Sequence, residues 1–235
     1  MERGKHAIEI ENLRFQWRQG VPVLDLPRLC IGRGESVFIK GASGSGKSTL
    51  LSLLGGVLLP QAGTVSVLGQ RLDELGSTRR DAFRAEHIGF IFQMFNLIPY
   101  LSVLENVLLP CRFSSRRRQR IAQQGLQPED EAVRLLEHLD LPAMLLHRSV
   151  TELSVGQQQR VAAARALIGS PELVIADEPT SALDADRCGS FLRLLLKESA
   201  SRDSTVVFVS HDARLEGYFS RSVDLTGINR AALEG

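Results

Sequence analysis

The sequence predicts an α/β fold with a mostly parallel sheet, an N-terminal antiparallel β-subdomain and an inserted α-helical subdomain. Three observations carry this. A glycine-rich loop, residues 41–49, lies between the strand-like run 35–40 and the apolar helical run 50–54. The continuous apolar run 173–176 and the run 205–209 suit strands buried on both faces of a parallel sheet. Between about Asn96 and Arg165 the texture turns helical and separates two pieces of an otherwise strand–helix chain.

The loop reads Gly41-Ala42-Ser43-Gly44-Ser45-Gly46-Lys47-Ser48-Thr49 and fits G-x-x-x-x-G-K-[ST], the phosphate-binding P-loop. This makes the core that of a P-loop NTPase. Glycines let the backbone curl so that successive N–H groups point at one centre. The helix N-terminus adds unpaired N–H groups and partial positive charge. Lys47 is placed to reach the β- and γ-phosphates, and the Ser48 hydroxyl to bind Mg²⁺.

Taken in order, Ile8 to Phe15 alternates in part, as a half-buried strand does. Trp17 is either a core or edge aromatic or a ring that stacks on a nucleotide base. Residues 20–34 read as a hairpin and turn, with a short strand Val23–Leu26 stopped by Pro27. The P-loop helix is expected to end at Gly55-Gly56. A strand covers Thr64 to Gly69. Ser77 to Glu86 reads as a polar helix with Ser77 or Thr78 as N-cap. His87 to Phe92 is a strand ending at Gln93, whose amide either ligates Mg²⁺ and places a water or is a plain surface amide.

Val103 to Leu109 reads as a helix ended by Pro110. The basic cluster Arg112, Arg116, Arg117, Arg118 and Arg120 reads as a solvated helix face, with contact to lipid headgroups or an acidic partner as the alternative. Pro128 opens a helix that sets Ala132, Leu135, Leu136 and Leu139 on one face. In Leu153-Ser154-Val155-Gly156-Gln157, Ser154 and Gln157 have capping-box spacing, so Val155 is the first helical residue and the N-terminus is a second potential anion site. That helix runs to Ile168 and stops at Gly169. Asp177 and Glu178 follow the buried run 173–176, at the strand end where open α/β sheets bind ligands. There Asp177 would hold Mg²⁺ through water, and Glu178, pointing differently, would face an attacking water. Residues 186–200 form an amphipathic helix, and His211 follows the strand 205–209.

The 235 residues are expected to form one domain, its core at about 1–95 and 166–235 and its helical subdomain at about 96–165. Hydrophobic content of 43% and charged content of 23% suit a globular protein. The net charge of +1 offers no electrostatic case for nucleic acid or an anionic membrane. Three scattered cysteines without C-x-x-C spacing indicate neither zinc nor a redox pair. No signal peptide and no run of 18 apolar residues is visible, so a membrane-spanning partner would be another polypeptide.

With the P-loop, Leu153–Gln157 and Asp177-Glu178 in this order, the chain resembles the ATP-binding-cassette family over nearly its whole length. The resemblance implies an ATPase subunit that drives a membrane transporter, with ATP and Mg²⁺ as cofactors. Trp17 matches the aromatic that stacks on adenine. Gln93 matches the Q-loop glutamine, which with Ser48 and Asp177 serves the metal. Ser181-Ala182-Leu183-Asp184 matches the D-loop, and His211 the switch histidine at the γ-phosphate. Lys47, Gln93, Glu178 and His211 are then the catalytic set. Ser154, Gly156 and Gln157 of one copy close over the ATP on Gly41–Thr49 of another, so a homodimer through a nucleotide sandwich is implied. So are a separate permease chain, a peripheral place on the cytoplasmic side of the inner membrane, and no nucleic acid. Residues 87–110 look most like the lipoprotein-releasing and MacB-type export cassettes. One departure stands out: Val155 occupies a position where the family usually has glycine. Two other readings are a cassette protein without a transporter and a regulatory module that hydrolyses nothing.

Overall fold

The computed structural model describes residues 5–18, 20–181 and 185–233. In chain order the elements are β1 (His6–Arg18), β2 (Val21–Gly32), β3 (Ser36–Lys40), α1 (Lys47–Leu54), β4 (Ala62–Val67), β5 (Gln70–Arg71), α2 (Ser77–His87), β6 (Ile88–Ile91) and α3 (Val103–Phe113). Then come α4 (Ser115–Gln123), α5 (Pro128–His138), α6 (Val155–Leu167), β7 (Leu173–Asp177), α7 (Ala185–Ala200), β8 (Thr205–Val209), β9 (Arg221–Asp224) and α8 (Leu225–Ile228), with short 3₁₀ turns between. The chain divides into two compact units, Met1–Arg84 with Val207–Gly235, and Ala85–Val206.

In the first unit, β2-β1-β4-β5 form an antiparallel sheet. Ile10 lies opposite Leu29 and Leu13 opposite Leu26, and Ile8, Ile10, Leu13, Leu24, Leu26 and Ile31 are all fully buried. The expected stop at Pro27 does not occur, and β2 continues to Gly32. β2 lies at the edge of this sheet, where a residue without an N–H is tolerated. β3 pairs in parallel with β9, Lys40 opposite Asp224, and has β8 on its other side. Phe38, Phe208 and Phe219 form an aromatic cluster with ring centroids 5.1–6.2 Å apart. α1 ends at Gly55 as expected and buries Leu50, Leu51, Leu53 and Leu54. α2 starts at the residue expected to cap it: Ser77 is already helical, and the Gly76 carbonyl accepts from the Arg80 N–H.

In the second unit, β6 and β7 pair in parallel, Ile88 opposite Leu173 and Ile91 opposite Ala176. α5 buries Ala132, Leu135 and Leu136, and Leu139 follows them inward as its pattern requires. α3 runs through Pro110 to Phe113 rather than ending before it. Its apolar stripe Val103, Val107, Cys111 continues past the proline and is buried throughout. Packing of that stripe outweighs the single backbone hydrogen bond that a proline removes. The Ser114 N–H then closes the turn on the Pro110 carbonyl at 3.0 Å, and the Ser114 hydroxyl caps α4.

The basic cluster is only in part the expected solvated face: Arg112, Arg116 and Arg118 are exposed and Arg120 is half-buried, but Arg117 turns inward. Arg117 is only 2% exposed. Its guanidinium donates to the carbonyls of Ala85 (2.8 Å), Ile88 (2.7 Å), Ile168 (2.6 Å) and Ala166 (3.3 Å). Burial lowers its pKa to about 10, so it stays charged at neutral pH. Ala166 and Ile168 are at the carboxyl end of α6, where orphan carbonyls and the helix dipole favour a cation. Gly169 must lack a side chain here, since its φ is +69° and a Cβ would come 2.5 Å from that of Arg117. Arg116 and Arg120 both pair with Glu172, which also lies 3.2 Å from His87 Nδ1. Burial alone would raise the Glu172 pKa; hydrogen bonds from His87 and Arg120 outweigh it and hold the carboxylate far below its usual range. Arg117→Ala is expected to destabilise the fold by about 3 kcal/mol, since buried carbonyls left without donors cost roughly 1–3 kcal/mol each. Arg117→Lys should recover only part, because one ammonium cannot span these acceptors as a planar fork does. Urea unfolding midpoints check this, and an unchanged Arg117→Ala midpoint contradicts it.

Candidate active site

In the first unit the P-loop is shaped by its glycines. Gly44 and Gly46 have φ of +81° and +94°, a region L side chains rarely enter. A Cβ on Gly46 would also lie 2.7 Å from the Leu24 side chain. Gly46 is the N-cap of α1, so the loop opens onto a helix N-terminus with its free N–H groups. Ala42, Ser43, Gly44 and Ser48 are exposed along the crown, whereas Ser45, Lys47 and Thr49 are buried. Lys47 Nζ donates to the Gly41 and Ala42 carbonyls, each at 2.8 Å, which holds the ammonium against the loop's opening turn.

Two more predicted residues lie in this unit. Trp17 is 62% exposed, so it is not a core residue. It stands edge-on to Phe15, with centroids 5.1 Å apart and planes at 87°, and a ring so supported leaves surface for another flat group. The Ser210 N–H donates to the Ile39 carbonyl at 3.3 Å, bringing the ends of β8 and β3 together. His211, exposed, therefore leaves the sheet at the end from which the P-loop leaves.

The second unit gathers Gln93, Asp177 and Glu178. The β6–β7 register brings Ile91 opposite Ala176. Gln93, two residues past Ile91, and Asp177, one past Ala176, therefore emerge at the same strand ends. Glu178 has φ of +43°, a strain on the order of 1–3 kcal/mol for a residue with a side chain. Pro179 already disfavours the ordinary helical region at the position before it. The turn closes with the Ser181 N–H on the Glu178 carbonyl at 3.2 Å. Of the predicted D-loop, Ser181 is exposed, whereas Ala182, Leu183 and Asp184 lie outside the described residues.

The Leu153–Gln157 segment takes the expected form. Ser154 Oγ accepts from the Gln157 N–H, and Gln157 Oε1 accepts from the Ser154 N–H at 2.9 Å. α6 begins at Val155. Neither Val155 nor Gly156 has positive φ, so the valine carries no backbone strain.

Sequence reasoning missed what α6 does beyond its first turn. Gln159, 1% exposed, donates to the Pro179 carbonyl at 2.8 Å, one residue past Glu178. Arg165 donates to the Phe95 and Asn96 carbonyls at 2.5 and 2.6 Å. Those two residues, just after Gln93, have φ of +59° and +48°. Burial lowers the Arg165 pKa from its ordinary value. One helix thus carries the capped segment at its start and braces both strand-end turns. The signal was present: polar Gln159 and Arg165 belong to the same helix as an alanine-rich run that is buried from Val161 to Leu167.

The chemistry of these groups suits a nucleoside triphosphate and a hard cation. The P-loop supplies N–H groups and an ammonium for phosphate. Ser48 in the first unit and Asp177 in the second each carry an oxygen of the kind Mg²⁺ prefers, a cation usually held by one or two protein groups beside substrate phosphates. Among the described residues no cluster of three or more His, Cys, Asp or Glu side chains offers an all-protein metal cage.

Residues 24–181 match the family described as ABC transporter. The chain is 37% identical over 227 residues to the lipoprotein-releasing system ATP-binding protein LolD of Xanthomonas oryzae pv. oryzae, covering 95% of this chain and 90% of that one. It is 39% identical over 228 residues to LolD of Syntrophotalea carbinolica, covering 96% and 97%. Among solved structures it is similar to the ATP-binding cassette MJ0796, seen as a dimer in a post-hydrolysis state bound to ADP and Pi. That likeness has a TM-score of 0.81 at 35% identity and covers 92% of this chain and 93% of the other. The chain belongs to the ABC transporter family, as an ATP-binding and ATP-hydrolysing subunit of the LolD type.

Proposed function

We propose that this ATPase powers release of lipoproteins from the inner membrane, with its 235 residues as one nucleotide-binding domain and residues 96–165 as its helical insertion. The reading rests above all on likeness to LolD along nearly the whole chain. Among the described residues no helix is long and apolar enough to cross a membrane. The spanning part is then a separate permease, and the subunit sits peripherally on the cytoplasmic face. Purification of the native protein from membranes tests this: a permease of a lipoprotein-exporting system should copurify and stimulate ATP hydrolysis. Recovery in the soluble fraction without a permease overturns it.

The residues divide the work as follows. Gly41 to Thr49 hold the phosphates and Trp17 stacks on adenine. Ser48, Asp177 and Gln93 would hold Mg²⁺, which would neutralise phosphate charge when bound. Glu178 orients and polarises the attacking water, and His211 fixes the γ-phosphate. Ser154, Gly156 and Gln157, with Asp184, face the nucleotide on a second copy, so two chains make two composite sites. Placement and charge stabilisation supply the catalysis, with no covalent intermediate. ATP favours the closed pair, and hydrolysis removes that preference.

Val155 provides a test of the composite site. Because α6 starts there without strain, Val155→Gly should change steady-state turnover at saturating Mg-ATP less than about threefold, under roughly 0.7 kcal/mol. Gly156→Asp should lower it about a hundredfold, roughly 2.7 kcal/mol, by blocking and repelling phosphate. A large gain from Val155→Gly would show instead that the natural segment is impaired.

A further inference from the structure

Asn229 lies 184 residues from Ser45 along the chain, yet it reaches the P-loop. It is 1% exposed. Its Oδ1 accepts from the Asp25 N–H at 2.8 Å and the Ala231 N–H at 3.3 Å. Its Nδ2 donates to the Val23 carbonyl at 2.9 Å and the Ser45 carbonyl at 3.3 Å. An amide has two donors and two acceptor sites, and all are used. The topology explains the meeting. β3 and β9 are parallel with Lys40 opposite Asp224, so the segments that follow them leave the sheet at the same end. After β3 comes the P-loop. After β9 comes α8, capped by Asp224, and then Asn229. Contact is close at two further points: a Cβ on Gly41 would lie 3.5 Å from Thr226 Oγ1, and one on Gly46 would lie 3.2 Å from the Val23 carbonyl.

From this geometry we infer that Asn229 is a positioning residue for nucleotide binding. It fastens the P-loop, through the carbonyl of buried Ser45, to β2 and to the carboxyl-terminal segment. A peptide whose carbonyl is tied down has its own N–H partner groups aimed in a fixed direction, and preorganised donors bind phosphate without an ordering cost. The inference rests on the reading of Gly41 to Thr49 as the phosphate site.

The test compares two buried asparagines. Asn106 is also fully buried and makes four hydrogen bonds, to Ile98, Leu101 and Ser102 in the second unit, none to the P-loop. ADP affinity is measured by calorimetry on folded protein, with melting temperature recorded for each variant. Asn229→Asp replaces the donor with an oxygen facing two carbonyls, and should weaken ADP binding about tenfold, the scale of the ordering cost that an unfastened loop must meet on binding. Asn106→Ala should lower the melting temperature while leaving ADP affinity within about twofold, a bare structural loss. A folded Asn229→Asp with wild-type ADP affinity overturns the inference, as does an Asn106→Ala that weakens ADP equally. Lys47→Ala is measured alongside: wild-type ADP affinity there would overturn the phosphate-site reading itself. A second measurement needs no variant. In the wild-type chain, ADP should slow hydrogen exchange at the Asp25 and Ala231 amides, the two that donate to Asn229. Unchanged exchange at both overturns the inference.

Discussion

Lys47→Ala is expected to lose nearly all ATP turnover, on the order of a hundredfold to a thousandfold, the usual cost of removing one preorganised charge-stabilising donor. Lys47 is the first residue of α1, 7% exposed, with its ammonium on the Gly41 and Ala42 carbonyls. No other lysine belongs to the loop. The loss should appear in nucleotide affinity as well as turnover, since the ammonium meets phosphate in ground and transition states alike. Lys47→Arg should restore little, because a planar fork on a longer stem cannot take the place of a compact ammonium. Fold should survive, as the side chain braces its own loop rather than the core. Wild-type turnover in Lys47→Ala would remove the P-loop from the mechanism.

Glu178→Gln is expected to lower turnover about a hundredfold to ten-thousandfold, the range for loss of a positioned general base. The substitution keeps size and shape, so the turn at φ of +43° should persist. Binding of Mg-ATP should therefore be near wild type, and the deficit should fall on kcat. A comparable loss of ATP affinity would place Glu178 in binding rather than in water activation. Gln159, which holds the next residue's carbonyl, offers a comparison: Gln159→Ala should loosen that turn and reduce kcat more mildly.

What was legible in the sequence has a common character. The P-loop, the Ser154–Gln157 capping box, the buried face of α5 and the double-sided burial of β8 are local patterns with fixed spacing. They depend on a few neighbouring residues, so the chain alone displays them. The misreadings all come from tertiary context. Pro27 is carried by an edge strand and Pro110 by an apolar stripe that continues beyond it. Within the Arg112–Arg120 run, Arg117 reads as part of a wet face until Ala85, Ile88, Ala166 and Ile168 turn their carbonyls toward it. Likewise Asn229 is one polar residue near the end of the sequence until the β3–β9 register brings it beside Ser45. Side chains that satisfy distant backbone carbonyls leave no periodic mark.

In the proposed cycle two copies close over two ATP molecules, and hydrolysis at Glu178 reopens them. Light scattering of the Glu178→Gln chain with saturating Mg-ATP addresses it most directly, first alone and then with the permease. The expected result is twice the monomer mass with Mg-ATP and the monomer mass with Mg-ADP. A mass that stays monomeric with Mg-ATP under both conditions contradicts it.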